Sequence, residues 1–403
     1  MPRDSELHAM LLRLAGRIPD DLLTRCREWA ADGREADVAA AVAFAVLWRE
    51  AKMHEDDIEL LADLTEAAGG DPGDLPVIEQ DDDEPPMFFQ FLPVREPGQA
   101  NLEQLVALQA GSVEDAVDQA AVDAVAGDAG ARGLWRAWRH PAVPSPWPGL
   151  RRVYVVEVDD DVAFVPLTAH LQQRLAAAGE ADPQVEVVPA GVELPAYQSS
   201  ARAFGALLWA STPEREFRLA EPFDEVTDAG GPVFHPDHPR IDDPVERRRI
   251  LHYLRSGEAV LVSEGLMDDV VEPTRREVVP LDLRTDGFWV WLDTTAYYLE
   301  EHHLAPPEEL LAHVRAADYA MPEVDGVTVH RATAQLIAMG PTAEDAESAE
   351  SAEWPEFEPA LESLAIRAPD DPEPEPAAIK GMTSLEGIAT VRVTAGGPAA
   401  PVL

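Results

Sequence analysis

Four groups of residues in this chain have types and spacings that bear on chemistry. Phe234-His235-Pro236-Asp237-His238-Pro239 puts two imidazoles close to a carboxylate, the raw material of a metal site. The two prolines hold the segment extended, and no His-Glu-x-x-His helix or cysteine pair accompanies it. A rigid loop whose imidazoles bond to backbone is therefore the favoured reading, and no metal is assigned. Glu301-His302-His303, with His313 further on, reads as helix-end imidazoles that complement the dipole. Asp268-Asp269, Asp282, Asp286 and Asp293 could pair as acid and base, but their spacing matches no calcium loop, and Asp is at home in turns. Asp293 before Thr294-Thr295 reads as an N-cap. Tyr197-Gln198 opens a helix and could line a pocket, although capping and core packing are simpler. There is no Walker loop, no Gly-x-Gly-x-x-Gly after a strand and no Gly-x-Ser-x-Gly elbow, so most cofactor and hydrolase classes lose ground and no cofactor is expected.

The elements that would position these residues divide the chain. Residues 1–70 read as a helical domain. Leu7, Met10, Leu11 and Leu14 form one stripe, and Leu22, Leu23, Cys26 and Trp29 form another. The stretch from Ala36 to Met53 is apolar on most faces, which predicts burial by neighbours. Residues 71–100 form an acidic, Pro-containing linker with an apolar patch, Phe88, Phe89 and Phe91, which is either a strand of the main sheet or a docking segment. Residues 101–150 read as a helical segment ending at Trp135 and Trp138 on one helix face, then a Pro-rich connector. Interleaved with Arg132, Arg136 and Arg139, the tryptophans have the makings of a small nucleic-acid patch, but core tryptophans with surface arginines fit a negative chain better.

Residues 151–338 predict an α+β domain with a mixed or antiparallel sheet. Strands are expected over 152–158, 162–167, 185–188, 259–263, 277–283 and 288–292, and helices over 168–178, 198–210, 244–256, 294–302 and 308–317. Asp286-Gly287 should supply the positive φ angles of a tight hairpin, and Trp289 and Trp291, two apart, should share one sheet face. Residues 339–403 are acidic and Pro-rich, with the composition of a mostly disordered tail.

The net charge is −45 over 403 residues. Charge of that size repels nucleic acid and anionic membrane, and it argues for a basic protein partner or for simple solubility, an acidic solvated surface being the commoner case. The single cysteine, Cys26, excludes an intrachain disulfide. The N-terminus has no signal-peptide pattern and no apolar run is long enough to span a bilayer, so a cytoplasmic location is expected. The abundance of Arg over Lys, with Ala, Pro, Asp and Glu, suggests a high-GC bacterial genome.

From about Glu193 to Val314 the chain resembles a module recurring in actinobacterial proteins. The likeness rests on Leu194-Pro195-x-Tyr197-Gln198, Leu207-Leu208-Trp209, His238-Pro239-Arg240, Tyr253-Leu254-Arg255-x-Gly257, Asp269 with Pro273, Val279-Pro280, and Arg284-Thr285-Asp286-Gly287-x-Trp289-Val290-Trp291 with Tyr297-Tyr298. No activity is established for that module, so the resemblance transfers no catalytic residue; it implies association with bacterial conflict or secretion loci. Three functional expectations follow. The first is a non-enzymatic protein-binding protein, such as an immunity-like inhibitor of a basic toxin or nuclease. The second is a small-molecule enzyme with a cleft near Tyr197, His235, His238, Arg284 and Asp286. The third is a scaffold that docks through Phe88, Phe89 and Phe91.

Overall fold

A computed structural model describes residues 2–49, 51–80, 89–96, 111–141, 150–227, 231–263 and 265–339. The expected disordered tail from residue 340, Phe88, and the polyproline-like stretch at 142–149 lie outside the described residues. The chain is α+β and forms two units. The first comprises Met1–Pro213 with Asp325–Val327; the second comprises Glu214–Val324 and the described residues from Thr328 on. This boundary lies well past residue 151, where composition alone would put it.

In the first unit, helices α1 (Pro2–Arg13), α2 (Asp20–Ala31), α3 (Glu35–Arg49) and α4 (Glu55–Ala67) precede a five-stranded sheet. Its strands are β1 (Phe89–Leu92), β2 (Ala131–Pro141), β3 (Arg151–Val158), β4 (Gln184–Pro189) and β5 (Ala206–Ala210). Helices α5 (Ala116–Ala126), α6 (Phe164–Ala177) and α7 (Ala196–Ala203) connect them. Strand β2 is antiparallel to β3, and β1 and β5 share its other edge; β3 and β4 run parallel on either side of α6, as a crossover helix requires. Alternation along the strands sorts the core. Leu134, Tyr154, Val156, Val185 and Val187 meet α5 and α6, whereas Trp135, Ala137, Val153, Val155 and Val188 join the N-terminal helices and α7. The N-terminal helices thus share one core with the sheet.

Several sequence expectations change here. Residues 131–141 are a strand, so Trp135 and Trp138 do not lie on one helix face. Trp135 is fully buried, and Trp138 lies under the guanidinium of Arg152 at 4.7 Å. β-branched and aromatic residues suit a pleated, half-buried surface, and tertiary pairing with β3 overrides the helical reading. Arg136 and Arg139 are buried rather than displayed, and Arg132 bonds Asp159, so the nucleic-acid patch does not form. The expected strand at 162–167 is mostly the start of α6, and the expected helix at 198–210 ends at Ala203 before β5. Phe89 and Phe91 are strand residues: Phe91 is 2% exposed and packs edge-on against Tyr197 at 5.1 Å. They belong to the core, not to a docking patch. Helix α3 is buried on only one side, through Val38, Ala39, Val42, Ala45 and Val46.

The first unit also buries charge. Arg139 donates through both terminal nitrogens to the two oxygens of Asp20, at 2.9 and 2.7 Å, and to Tyr197 Oη at 3.1 Å. Arg27 donates to Glu186 at 2.7 Å, and Gln198 bridges the same Glu186 oxygen to the carbonyl of Leu12. On the other face Arg136 and Arg152 both bond Asp118, whose Oδ1 also accepts from Tyr154 at 2.6 Å. Cys26 is fully buried, and burial pushes its thiol up to about 12 against the pull of Arg27.

The second unit has a four-stranded sheet in the order β6 (Arg218–Ala220), β13 (Trp289–Leu292), β12 (Leu283–Thr285), β9 (Glu258–Leu261). Two small hairpin sheets, β7 (Glu225–Thr227) with β8 (Gly231–Val233) and β10 (Leu266–Met267) with β11 (Val279–Pro280), are inserted between its strands in the chain. Trp289 and Trp291 share a face, as their spacing predicts. They pack with α8 (Pro244–Ser256), α9 (Asp293–His302) and α10 (Glu308–Ala316) through Ile250, Leu254, Leu299 and Leu310. Val290 and Leu292 face the other way, toward Ala332 and Leu336 of α11 (Gly326–Ala338). At the hairpin only Gly287 has positive φ, +86°; Asp286 does not need it, because its carboxylate holds the turn.

Two outcomes test this core. Phe91→Ala should lower the free energy of unfolding by about 3–5 kcal/mol, while the exposed neighbour Gln90→Ala should change it by less than about 0.5 kcal/mol, both by urea denaturation. His8 is buried, donates Nε2–H to the carbonyl of Val187 at 2.8 Å, and is pushed down to about 4, chiefly by burial. Its imidazole takes up a proton near pH 6.5 when unfolded and only near pH 4 when folded. Between those values the unfolded chain binds more protons, so stability falls as pH drops, by about 3 kcal/mol in all. A His8→Gln variant, able to keep the bond to Val187, should show a shallower decline over that window; an unchanged slope would remove His8 from the account.

Candidate functional site

The densest titratable chemistry of the second unit sits in two centres of the same design. The first is Asp286, in the β12–β13 turn. Its Oδ1 accepts from the backbone N–H groups of Phe288 at 2.9 Å and Trp289 at 2.8 Å. Its Oδ2 accepts from Tyr253 Oη of α8 at 2.5 Å and from His313 Nε2 of α10 at 2.8 Å. The second is Asp269, between β10 and β11. Its Oδ1 accepts from the N–H groups of Val271 at 2.9 Å and Glu272 at 3.1 Å. Its Oδ2 accepts from Tyr297 Oη at 3.0 Å and His302 Nε2 at 2.6 Å, both on α9.

Each carboxylate is buried and spends one oxygen on its own turn and the other on a tyrosine and a histidine from helices. Burial alone would raise the Asp269 carboxyl, but His302, the two backbone N–H groups and Tyr297 together hold it below the usual carboxylate range. Tyr297 is pushed up to about 12, first by burial and then by its bond to Asp269. Tyr253 is raised further, by burial and then by Asp286. Both phenols are therefore neutral donors at physiological pH. Chemically, a carboxylate that orients an imidazole resembles half of a catalytic triad. Structurally, each centre ties a turn to helices packed against it.

The sequence-predicted residues are placed as follows. Tyr197 belongs to the first unit, where it is 7% exposed, accepts from Arg139, and contacts Phe89 and Phe91 edge-on. It is a core residue. His238 is held at both ring nitrogens, Nδ1 against Asp224 at 3.0 Å and Nε2 against the carbonyl of Ala305 at 3.0 Å. Burial raises Asp224, but the N–H of His235 and the ring of His238 outweigh it and hold the carboxyl down. His235 is exposed, with Glu225 at 3.6 Å from its Nε2. Arg284 clasps both oxygens of Asp293 through Nε, at 2.8 and 3.0 Å, and donates to the carbonyl of Gly257. Burial nonetheless pushes the Asp293 carboxyl up, the opposing pull of Arg284 being smaller. Asp293 is the first residue of α9 and makes no side-chain cap. Within the second unit, His238, Arg284 and Asp286 each bond to separate partners, and Tyr197 lies in the other unit.

Tyr253, His302 and His313 are the partners that sequence spacing leaves unpaired with their carboxylates. Each lies 27 to 33 residues from its aspartate, so only the fold joins them. An Asp followed at two and three positions by bonded backbone N–H groups is the only local signal. Among the described residues no group of His, Cys, Asp and Glu is arranged to hold a metal ion, and no helix is long and apolar enough to cross a membrane. No family model, curated protein or solved structure matches this chain.

If Asp286 is a tie, its loss should be felt as stability. Asp286→Ala strips partners from two backbone donors, a tyrosine and a histidine, and should lower the urea unfolding free energy by about 3–5 kcal/mol. Asp286→Asn keeps an acceptor toward Phe288 and Trp289 and should lose less than half of that. Equal stability of wild type and Asp286→Ala would refute the structural role.

Proposed function

We propose that this protein is a non-enzymatic, cytoplasmic binding protein whose partner is a basic protein, in the manner of an immunity-like inhibitor that covers the cationic active site of a toxin or nuclease. The observation that carries this reading is the direction of the charges. The chain has 31 Lys and Arg against 76 Asp and Glu. Of those few cations, Arg27, Arg136, Arg139 and Arg152 are buried and paired with Glu186, Asp118, Asp20 and Asp115 inside the first unit. Others at the surface are already engaged, as Arg25 is with Glu28, Arg34 with Asp37 and Arg255 with Glu300. Among the described residues exposed Asp and Glu outnumber exposed Lys and Arg, so the surface is acidic on balance. A surface of one sign steers a partner of the other, speeds association and repels nucleic acid and anionic lipid.

The test is capture of partners by the immobilised full chain from native lysate at low ionic strength, with a salt gradient for elution. A basic protein should be retained stoichiometrically and should leave in moderate salt, with affinity falling at least about tenfold as the Debye length shrinks from about 10 Å to about 3 Å. Retention that is indifferent to salt, or of acidic proteins only, would overturn the reading.

A further inference from the structure

Helix α3 carries an apolar face that the described residues of the first unit leave exposed. Its buried side is complete with Val38, Ala39, Val42, Ala45 and Val46. Ala36, Ala40, Phe44, Leu47 and Trp48 lie on the other side, a stripe at helical spacing that is exposed along its length. Phe44 is 69% exposed and Trp48 is 78% exposed, the most exposed aromatic residues described. Their rings stack at 6.3 Å with 15° between planes, so the pair is already arranged as one flat anchor. Isolated exposed apolar residues are ordinary, but a run of five on one helix face with a stacked aromatic pair is not.

The surroundings decide what would cover it. Helix α4, which packs against α3, turns Glu55, Glu59, Asp63 and Glu66 outward. On α3 itself Asp37 is exposed and paired with Arg34, and beyond its end Lys52 is paired with Glu79. The apolar stripe therefore sits in an acidic field. A second copy of this chain would bring a charge of −45 against −45, and an anionic membrane would be repelled in the same way.

We infer that the Ala36–Ala40–Phe44–Leu47–Trp48 face of α3 is a docking surface for a cationic amphipathic segment of a protein, with Phe44 and Trp48 as its anchors and the carboxylates of α4 receiving the partner's lysines or arginines. This rests on the basic-partner reading above and adds its location. Aromatic side chains held rigid before binding lose little entropy on complex formation and are the usual centres of binding energy. Recognition through i, i+4 anchors is the helix-to-groove mode.

The experiment uses the full chain and three synthetic 18-residue peptides: a Leu/Lys amphipathic helix, a Ser/Lys peptide of equal charge, and a Leu/Glu helix. Binding is followed by titration calorimetry. The Trp48 environment is read by fluorine NMR of fluorotryptophan-labelled protein, assigned with Trp48→Phe. The Leu/Lys peptide should bind, shift the Trp48 resonance and weaken with salt. Phe44→Ala/Trp48→Ala should weaken it at least about tenfold. Ala40→Lys, which puts a cation on the same exposed stripe, should weaken it too. Since all three positions are exposed, circular dichroism should be unchanged. If the Leu/Lys peptide binds without moving Trp48, and the variants bind it as well as wild type, this surface is wrong while the basic-partner reading survives. If no cationic peptide binds, both fail. Equal binding of the Leu/Glu helix would overturn the charge argument. Self-association lost in the variants would make the face a contact between copies instead.

Discussion

The clasp between Arg139 and Asp20 is the contact on which the first unit turns. Two parallel N–H to oxygen bonds join the middle of the sheet to the first residue of α2, with Tyr197 accepting from the same guanidinium. Both ions are out of water, so neither tolerates losing the other; breaking a buried pair costs about 3–5 kcal/mol. Such a pair is a poor source of net stability but a strict source of geometry. It admits one placement of α2 over the strands. Glu186 then meets Arg27 about two turns further along α2, and Gln198 closes on the carbonyl of Leu12 in α1. The N-terminal helices could not be exchanged for another bundle with the same apolar stripes, because the polar contacts specify which bundle.

That explains what could and could not be read from the chain. Alternation and periodicity placed the helices of residues 1–70, the Pro244–Ser256 helix, and the Trp289/Trp291 face. They failed where a strand carries charge on its buried faces. Residues 131–141 read as helix because Arg132, Arg136 and Arg139 interrupt the apolar run at helical intervals, and nothing local says that Asp118 and Asp20 wait for them 18 and 119 residues away. The same blindness affected Tyr197, which looked like a pocket residue because its partners, Phe89, Phe91 and Arg139, are remote in sequence.

The second unit solves a different problem with similar means. Its strands are short, and the turn between β12 and β13 must hold two tryptophans in register against three helices. Asp286 meets the demand from one side chain: one oxygen shapes the turn, and the other receives Tyr253 and His313 from two of those helices. Asp269 repeats the arrangement with Tyr297 and His302. Repetition favours a structural role, since a catalytic constellation has no reason to occur twice within one small unit, whereas a useful way of anchoring a turn does.

The interior ties leave the charge of the outside in place. The buried arginines are matched by buried acids, Asp20, Asp118 and Glu186 among them, so the net charge of −45 is still carried by the rest of the chain. Such a surface keeps copies of the chain apart over about a Debye length, roughly 8–10 Å in physiological salt. This is how a stripe as apolar as that of α3 can stay open. Apolar contact acts only at van der Waals range, and like-charged molecules seldom reach it. On the basic-partner proposal, a cationic segment is drawn through the same distance to where Phe44 and Trp48 stand. One charge pattern would then both keep copies of the chain off this face and choose what touches it.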